Sequence, residues 1–449
     1  MKRRPALHLL LLTLPGILAA DRIEIPPALP LAASSVLFLA LLASWRAGWT
    51  RASRAALVLL PSLLFLVRAA SVAVPGAPSA DVPVELRARV VMGGGTSARS
   101  VRAKALDGPL RGRIVEIRMP EGDPLPSPGR TLRIAGRMRP LPLPRNPGEP
   151  DRNAANRRRG DAARIDPEQV ALEPGGSALE PVRERVRGMA ESLGGSEGAL
   201  FLALFLADRS TLEPELTEAF RVTGLTHLLA LSGINIGILY CVFSAPLSLI
   251  APRRAVPILT VLLLWAFGAV ASLPISLLRA LIMASVLAAG RLVERPLDGW
   301  NTLAFAALLS IAGDPGAPWD VSFRLSFAAT AGIVAAARPL GFHGSCWWKK
   351  WIVGPIGISI AAQASTMPIV LRTFGTFAPF GAIATLLASP FNALALAAGT
   401  AWILLAGIHG TVDGILEDAT WGTALLFRLA VERIARSTPP LPVLTGPTA

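Results

Sequence analysis

The chain has 449 residues, of which 52% are hydrophobic and 16% charged, against roughly a quarter charged in an ordinary soluble domain. Apolar runs long enough for lipid recur too often for one globular core, which excludes a purely soluble globule. The net charge of +14 rests almost wholly on arginine, Lys2, Lys104, Lys349 and Lys350 being the only lysines among 44 basic residues, and it suits anionic partners, lipid headgroups or nucleic acid alike.

Residues 1–77 read as N-terminal membrane helices. Met1 to Arg4 followed by Leu7 to Ala20 is either a first crossing or a signal peptide, and Leu29 to Trp45 and Ala55 to Val74 follow as apolar runs. Lys2, Arg3 and Arg4 on one flank, and Arg46, Arg51 and Arg54 two crossings later, place that side in the cytoplasm by the positive-inside rule. The chain beyond about Gly76 is then expected outside.

Hydropathy collapses across residues 78–180, where apolar residues alternate: Val84, Leu86, Ala88 and Val90; Ile114, Val115 and Ile117; Leu132, Ile134 and Met138. Gly93-Gly94-Gly95, Asp107-Gly108-Pro109 and the stretch from Glu121 to Gly129 separate them as turns. A small extracytoplasmic β-rich domain is expected, an OB-like barrel of oligonucleotide-binding type. It carries 18 Lys/Arg against 13 Asp/Glu and no Phe, Tyr or Trp, so the base stacking on aromatic rings that grips single strands is not expected of it. Arg157, Arg158 and Arg159 read equally as phosphate contacts and as a solvated basic loop.

Residues 181–435 read as a polytopic helical membrane domain. After an amphipathic stretch around Arg183 to Leu193, apolar segments run over Leu200–Ala207, Leu225–Ile250, Val256–Leu273, Leu277–Leu292, Thr302–Ala312, Phe323–Ala337, Trp351–Leu371 and Ile383–Ile408. Several are too short to span alone, and broken helices at membrane depth are tolerated only inside protein or beside an aqueous cavity. Trp347-Trp348-Lys349-Lys350-Trp351 reads as an interfacial anchor. Asp413 to Ala435 reads as an interfacial or final helix, and residues 436–449 as a disordered tail. The fold class expected is thus a mainly α-helical polytopic membrane protein with an inserted β-rich domain.

The chemistry concentrates in the run from Thr223 to Gly237. His227, Ser232 and Asn235 are costly in lipid unless they find partners or water, and Gly233 and Gly237 form a small-xxx-small pair that would admit a neighbouring backbone. On one continuous helix His227 and Asn235 lie about 80° apart and share a side, whereas Ser232 lies about 140° from His227. The group is either a polar knot between helices or the lining of a translocation path. A Ser/His hydrolase is a third reading, disfavoured because one helix would not bring both groups to a point. Arg279 and Arg324 must pair, snorkel or face water, and they suit a wet interior; Arg372 suits snorkelling.

The run His227-Leu-Leu-Ala-Leu-Ser-Gly-Ile-Asn-Ile-Gly237 resembles the HLLAISGLHVG signature of the ComEC-type competence family, the membrane channels of DNA import. Asp208-Arg209-Ser210, Leu216 to Gly224, Leu277-Leu-Arg279-Ala280, Asp320 to Phe327, Gln363-Ala-Ser-Thr-Met-Pro368 and Phe374-Gly375 follow the family's order, and Arg145-Asn146-Pro147-Gly148 resembles the element closing its outer barrel. The resemblance implies a channel importing single-stranded DNA across the cytoplasmic membrane during natural transformation. Its path would be lined by His227, Ser232, Gly233, Asn235, Gly237, Arg279, Arg324 and Gln363. Membrane lipid, other uptake proteins and a separate nuclease or motor would be its partners, and self-association stays open.

Asn235 stands where the family has a second signature histidine, and Arg324 where it has a glutamine; an amide neither titrates nor readily binds zinc. The sequence ends without the metallo-β-lactamase-like domain many members carry, and His8, His227, His343 and His409 are scattered. No metal, cofactor or enzymatic activity is therefore expected. The alternatives are a transporter of small anionic solutes and the intramembrane serine hydrolase.

Overall fold

The computed structural model describes residues 81–93, 100–120, 129–141, 161–173, 178–229, 231–292, 298–314, 316–337, 353–375, 378–407 and 409–438, together with Leu10, Leu11, Thr13 and Pro126. Apart from Leu10, Leu11 and Thr13, the three N-terminal apolar runs lie outside the described residues, as do Arg157 to Arg159, the Asn146-Pro147-Gly148 element, the tryptophan and lysine cluster and the tail from Pro439.

Five strands form a closed barrel: β1 (Val82–Gly93), β2 (Ser100–Ala105), β3 (Ile114–Arg118), β4 (Thr131–Arg139) and β5 (Asp161–Leu172), ordered β1-β2-β3-β5-β4. All neighbours are antiparallel except β3 and β5. The alternation read from the sequence turns Leu86, Ala88, Val90, Val115, Ile117, Leu132 and Ile134 inward, and Val101, Ala103 and Ile165 join them, each at most 2% exposed. The core is aliphatic with methionine at its margin (Met119 and Met138) and no aromatic ring.

Two strands, β2 and β5, escaped the period-2 reading. Five of the six β2 residues are buried, Lys104 being the exception, so no in-out alternation marks it. Buried Arg102 meets Asp161 of β5 through two hydrogen bonds of 2.9 and 2.6 Å. β5 contains Pro167, placed where the β4–β5 register shifts beside Gly136, a position at which a missing N–H costs no ladder bond. A methyl group on Gly136 would lie 2.5 Å from the Asp166 carbonyl and 2.6 Å from the Pro167 Cα. The arginines projecting from β4 already face carboxylates: Arg133 meets Glu85 at 2.9 Å, Arg137 meets Glu168 at 3.4 Å and Arg139 meets Asp81 at 3.1 Å.

Helices follow: α1 (Glu180–Leu193), α2 (Gly195–Phe205), α3 (Pro214–Val222), α4 (Thr226–Leu229), α5 (Gly233–Ile250), α6 (Ala255–Val270), α7 (Ile275–Leu292), α8 (Gly299–Gly313), α9 (Val321–Ala337), α10 (Gly354–Phe374), α11 (Gly381–Leu405) and α12 (Gly410–Ser437). A 3-10 turn at Ala317–Trp319 joins α8 to α9. Among the described residues α5, α10 and α11 are long and apolar enough to cross a membrane. From Val256 to Ile408 the apolar segments fall within about three residues of their expected bounds, and α12 runs to Ser437, into the expected tail.

α1 joins the two halves. Arg130 of the barrel contacts Glu180 at 3.3 Å and Glu184 at 3.1 Å. From the same helix, Arg183 donates to the Val270 carbonyl at 2.9 Å and the Ala269 carbonyl at 2.8 Å, while Arg185 donates to the Ala406 carbonyl. Both arginines thus satisfy carbonyls at helix C-termini, those of α6 and α11, which have no intrahelical donor. Below α1, Phe201, Phe205, Phe220, Trp402 and Phe427 centre the largest apolar core. Gly399 admits the rings of Phe201 and Phe205, since a methyl group there would lie 2.6 Å from Phe205.

Candidate functional site

The expected single helix over Leu225–Ile250 is broken. α3 ends at Val222, and Gly224 takes the left-handed conformation at φ 75°, which costs glycine little. α4 then runs for one turn, and Ser232 is extended at φ −100°, ψ 173° before α5 starts at Gly233. His227 and Asn235 therefore do not share one side of one helix, and the angular argument separating Ser232 from His227 no longer applies.

Asn235 turns inward and holds the break. It is 0% exposed, as is Asn392 of α11. Its Nδ2 donates to the Leu228 carbonyl at 3.0 Å, satisfying an orphan acceptor of α4, and its Oδ1 accepts from Nδ2 of Asn392 at 3.0 Å. Asn392 was missed in the sequence; its signal was an amide in the middle of an apolar run, a group too costly in lipid to lack a purpose. Ser232 Oγ and Asn392 Oδ1 are buried atoms without a hydrogen-bond partner among the described residues.

His227, by contrast, is exposed, and its Nδ1 lies 2.9 Å from the Gly224 carbonyl. A carbonyl only accepts, so Nδ1 carries the hydrogen in this bond, and Nε2 is the acceptor of the neutral ring. Gly233 and Gly237 are exposed too, and a methyl group on either would meet no described atom within 4 Å. The close backbone approach expected of this pair is not made by any described part of the chain.

Gln363 comes to the same place from α10. A side chain on Gly381, the first residue of α11, would run into the Gln363 amide, and it would lie 3.6 Å from the Thr223 carbonyl. A methyl group on Gly224 would lie 2.8 Å from Ala378 Cβ and 3.4 Å from Gly381 Cα. Two distant motifs, that of Thr223 to Gly237 and that around Gln363, thus meet through glycines at the start of α11.

The two arginines lie on α7 and α9. Arg279 of α7 is 4% exposed, with its guanidinium 5.3 Å from the centre of the Phe327 ring of α9, a cation–π contact that partly offsets desolvation. Arg324 is exposed on α9, its Nε donating to the Pro318 carbonyl at 2.7 Å. Leu277, Ala280 and Leu281, the neighbours of Arg279, share one apolar cluster with Leu231 and Ile236 of the signature run. No group of three or more His, Cys, Asp or Glu capable of holding a metal occurs among the described residues.

A family model described as "Competence protein" matches residues 204–448. ComE operon protein 3 of Bacillus subtilis (strain 168) is 28% identical over 211 residues, which cover 46% of this chain and 26% of that relative. The matched stretch thus spans about a quarter of the relative's length. No solved structure matches the chain. With the family match extending over more than half of the sequence, through the broken signature helix, its Asn392 latch and the Gln363 junction, the chain belongs to the competence protein family.

Proposed function

We propose that this protein acts in natural transformation, as a multi-pass channel of the cytoplasmic membrane that passes single-stranded DNA. The observation that carries the reading is the helix interruption at Ser232, between α4 and α5, inside the family's matched region, with His227, Gly233 and Gly237 exposed beside it. Irregular backbone at membrane depth survives only where protein covers it or water reaches it. Asn235 and Asn392 cover one side; the exposed side is the hydrated path. Gly233 and Gly237 keep that path wide, and His227 Nε2 offers it a polar group.

Arg279, Arg324 and Gln363 belong to the same proposal as residues tuning the passage, with weak and multiple contacts so that the strand is released as readily as it is held. The strand order and the parallel β3–β5 edge support an oligonucleotide-binding type for the barrel. Its paired β4 arginines and ring-free core favour guiding a strand over gripping it. The barrel lies outside the membrane, the N-terminus in the cytoplasm, and the driving force comes from other uptake proteins.

The test is Gly237→Leu. An added Cβ meets no described atom within 4 Å, so the protein is expected at wild-type abundance in the membrane, while uptake of labelled DNA and transformation fall at least tenfold. Normal transformation with a normal amount of protein would overturn the path assignment. Wild-type transformation in a deletion strain, with loss of uptake of a small anion instead, would favour the solute-transporter alternative.

A further inference from the structure

We infer that the hairpin of α11 and α12 carries a binding site for an anionic phospholipid, in the leaflet opposite the hairpin's turn. The inference rests on the membrane reading above and concerns a face that reading does not use.

The two helices run antiparallel. At their turn, Trp402 Nε1 donates to Asp413 at 3.1 Å and the Gly407 N–H donates to the same carboxylate at 3.3 Å. Further along, Phe391 of α11 and Leu426, Leu429, Ala430, Arg433 and Arg436 of α12 line one open groove of about 440 Å³. α11 is long and apolar enough to cross a membrane, and α12, which carries Asp418, Arg428 and Glu432 along the way, packs back along it from the turn at Asp413 past Phe391 to Arg433 and Arg436. With the turn at one interface, the arginines stand at headgroup level at the other, and the apolar part of the groove lies just inside the bilayer.

The groove fits an amphiphile end to end. Leu426 and Leu429 are 48% and 46% exposed, a surface an acyl chain would cover. Glu432 also lines the groove, but it is engaged by Arg428 at 2.9 Å, which in turn meets Glu197 at 2.8 Å. Arg436 reaches Glu432 at 3.8 Å only, and Arg433 makes no ion pair with a described residue. Two exposed guanidiniums beside one committed carboxylate leave the groove's end cationic, and a guanidinium matches a phosphodiester through paired N–H donors. Free phosphate would have no use for the leucine-lined part, so the source is a lipid headgroup.

The experiment is native mass spectrometry and lipid exchange on the full chain, purified from membranes, with phosphatidylglycerol against phosphatidylcholine. Wild type is expected to prefer phosphatidylglycerol about thirtyfold, from two near-surface arginines. R433Q/R436Q should lose the preference to within about twofold, and R433K/R436K should keep most of it. An undiminished preference in R433Q/R436Q, or a second copy of the chain occupying the groove and excluding lipid, would overturn the site. Recovery of the chain from the soluble fraction would instead sink the membrane reading on which the site rests.

Discussion

The amide pair at the signature gives the sharpest quantitative test. Asn392→Ala removes the 3.0 Å bond to Asn235 Oδ1 at a place where both residues are 0% exposed, so water cannot replace it without opening the bundle. Hydrogen bonds between membrane helices average about 0.6 kcal/mol in double-mutant cycles, with a maximum near 1.7. Truncation also leaves a buried acceptor short of a donor, which costs about 1–3 kcal/mol. Asn392→Ala should therefore destabilise the helical half by about 1–3 kcal/mol, and Asn235→Ala by at least as much, because it also releases the Leu228 carbonyl. The double variant should be less destabilised than the sum of the two by about 0.6–1.7 kcal/mol. The assay is reversible unfolding of the detergent-solubilised protein, followed by tryptophan emission. Additivity within about 0.3 kcal/mol would refute the latch, since contacting residues in one network must couple.

Other outcomes follow from single contacts. Gly332→Ala places a methyl group 2.5 Å from the Ala361 carbonyl and from Ser365 Oγ; the α9–α10 pair has to part, and a loss of about 1–3 kcal/mol in the same unfolding assay is expected. Asp161→Ala strands buried Arg102 and should cost the barrel about 3–5 kcal/mol, read as lost hydrogen-exchange protection in β2 and β5. Arg87 holds the Asp107 carboxylate below its ordinary 3.8 through a side-chain hydrogen bond. A lowered folded-state pKa contributes stability that is present above 3.8 and lost as pH falls through the folded value. Acidification below 3.8 should therefore loosen the turn at Gly108, and Asp107→Asn should remove that dependence, measured by exchange of the Arg87 amide.

Much of this architecture was legible because hydropathy sets it. Apolar helices of the right length must be covered by lipid or protein, so α6 to α11 could be bounded to within a few residues. Alternation exposed β1, β3 and β4 for the same reason, since one face of each is dry. β2 could not be seen that way, because Arg102 and Ser100 are buried on its other face and the pattern lost its period. β5 was hidden by Pro167, which ordinarily argues against a strand and is tolerated only at the bulge.

The site was legible in its residues and not in its shape. His227, Asn235 and the glycines stood out as expensive or small groups in lipid. The stretch between them, Leu228-Leu229-Ala230-Leu231, holds no proline, and its apolar character reads as continuous helix. What matches the break is tertiary: Asn392 arrives from 157 residues away to meet Asn235, which reaches back across the break to the Leu228 carbonyl. No local rule contains that contact. Gln363 likewise owes its place to Gly381 and Gly224, whose lack of side chains matters only once α10 and α11 are packed.

The barrel's ring-free interior also has a practical side. All ten tryptophans and the one tyrosine lie outside residues 78–180, so indole emission is blind to the five strands and reports the remainder of the chain alone. Far-ultraviolet dichroism senses both. If the two optical signals melt at different temperatures, the gap between them measures how independently the barrel comes apart from the helices, with no label added to either.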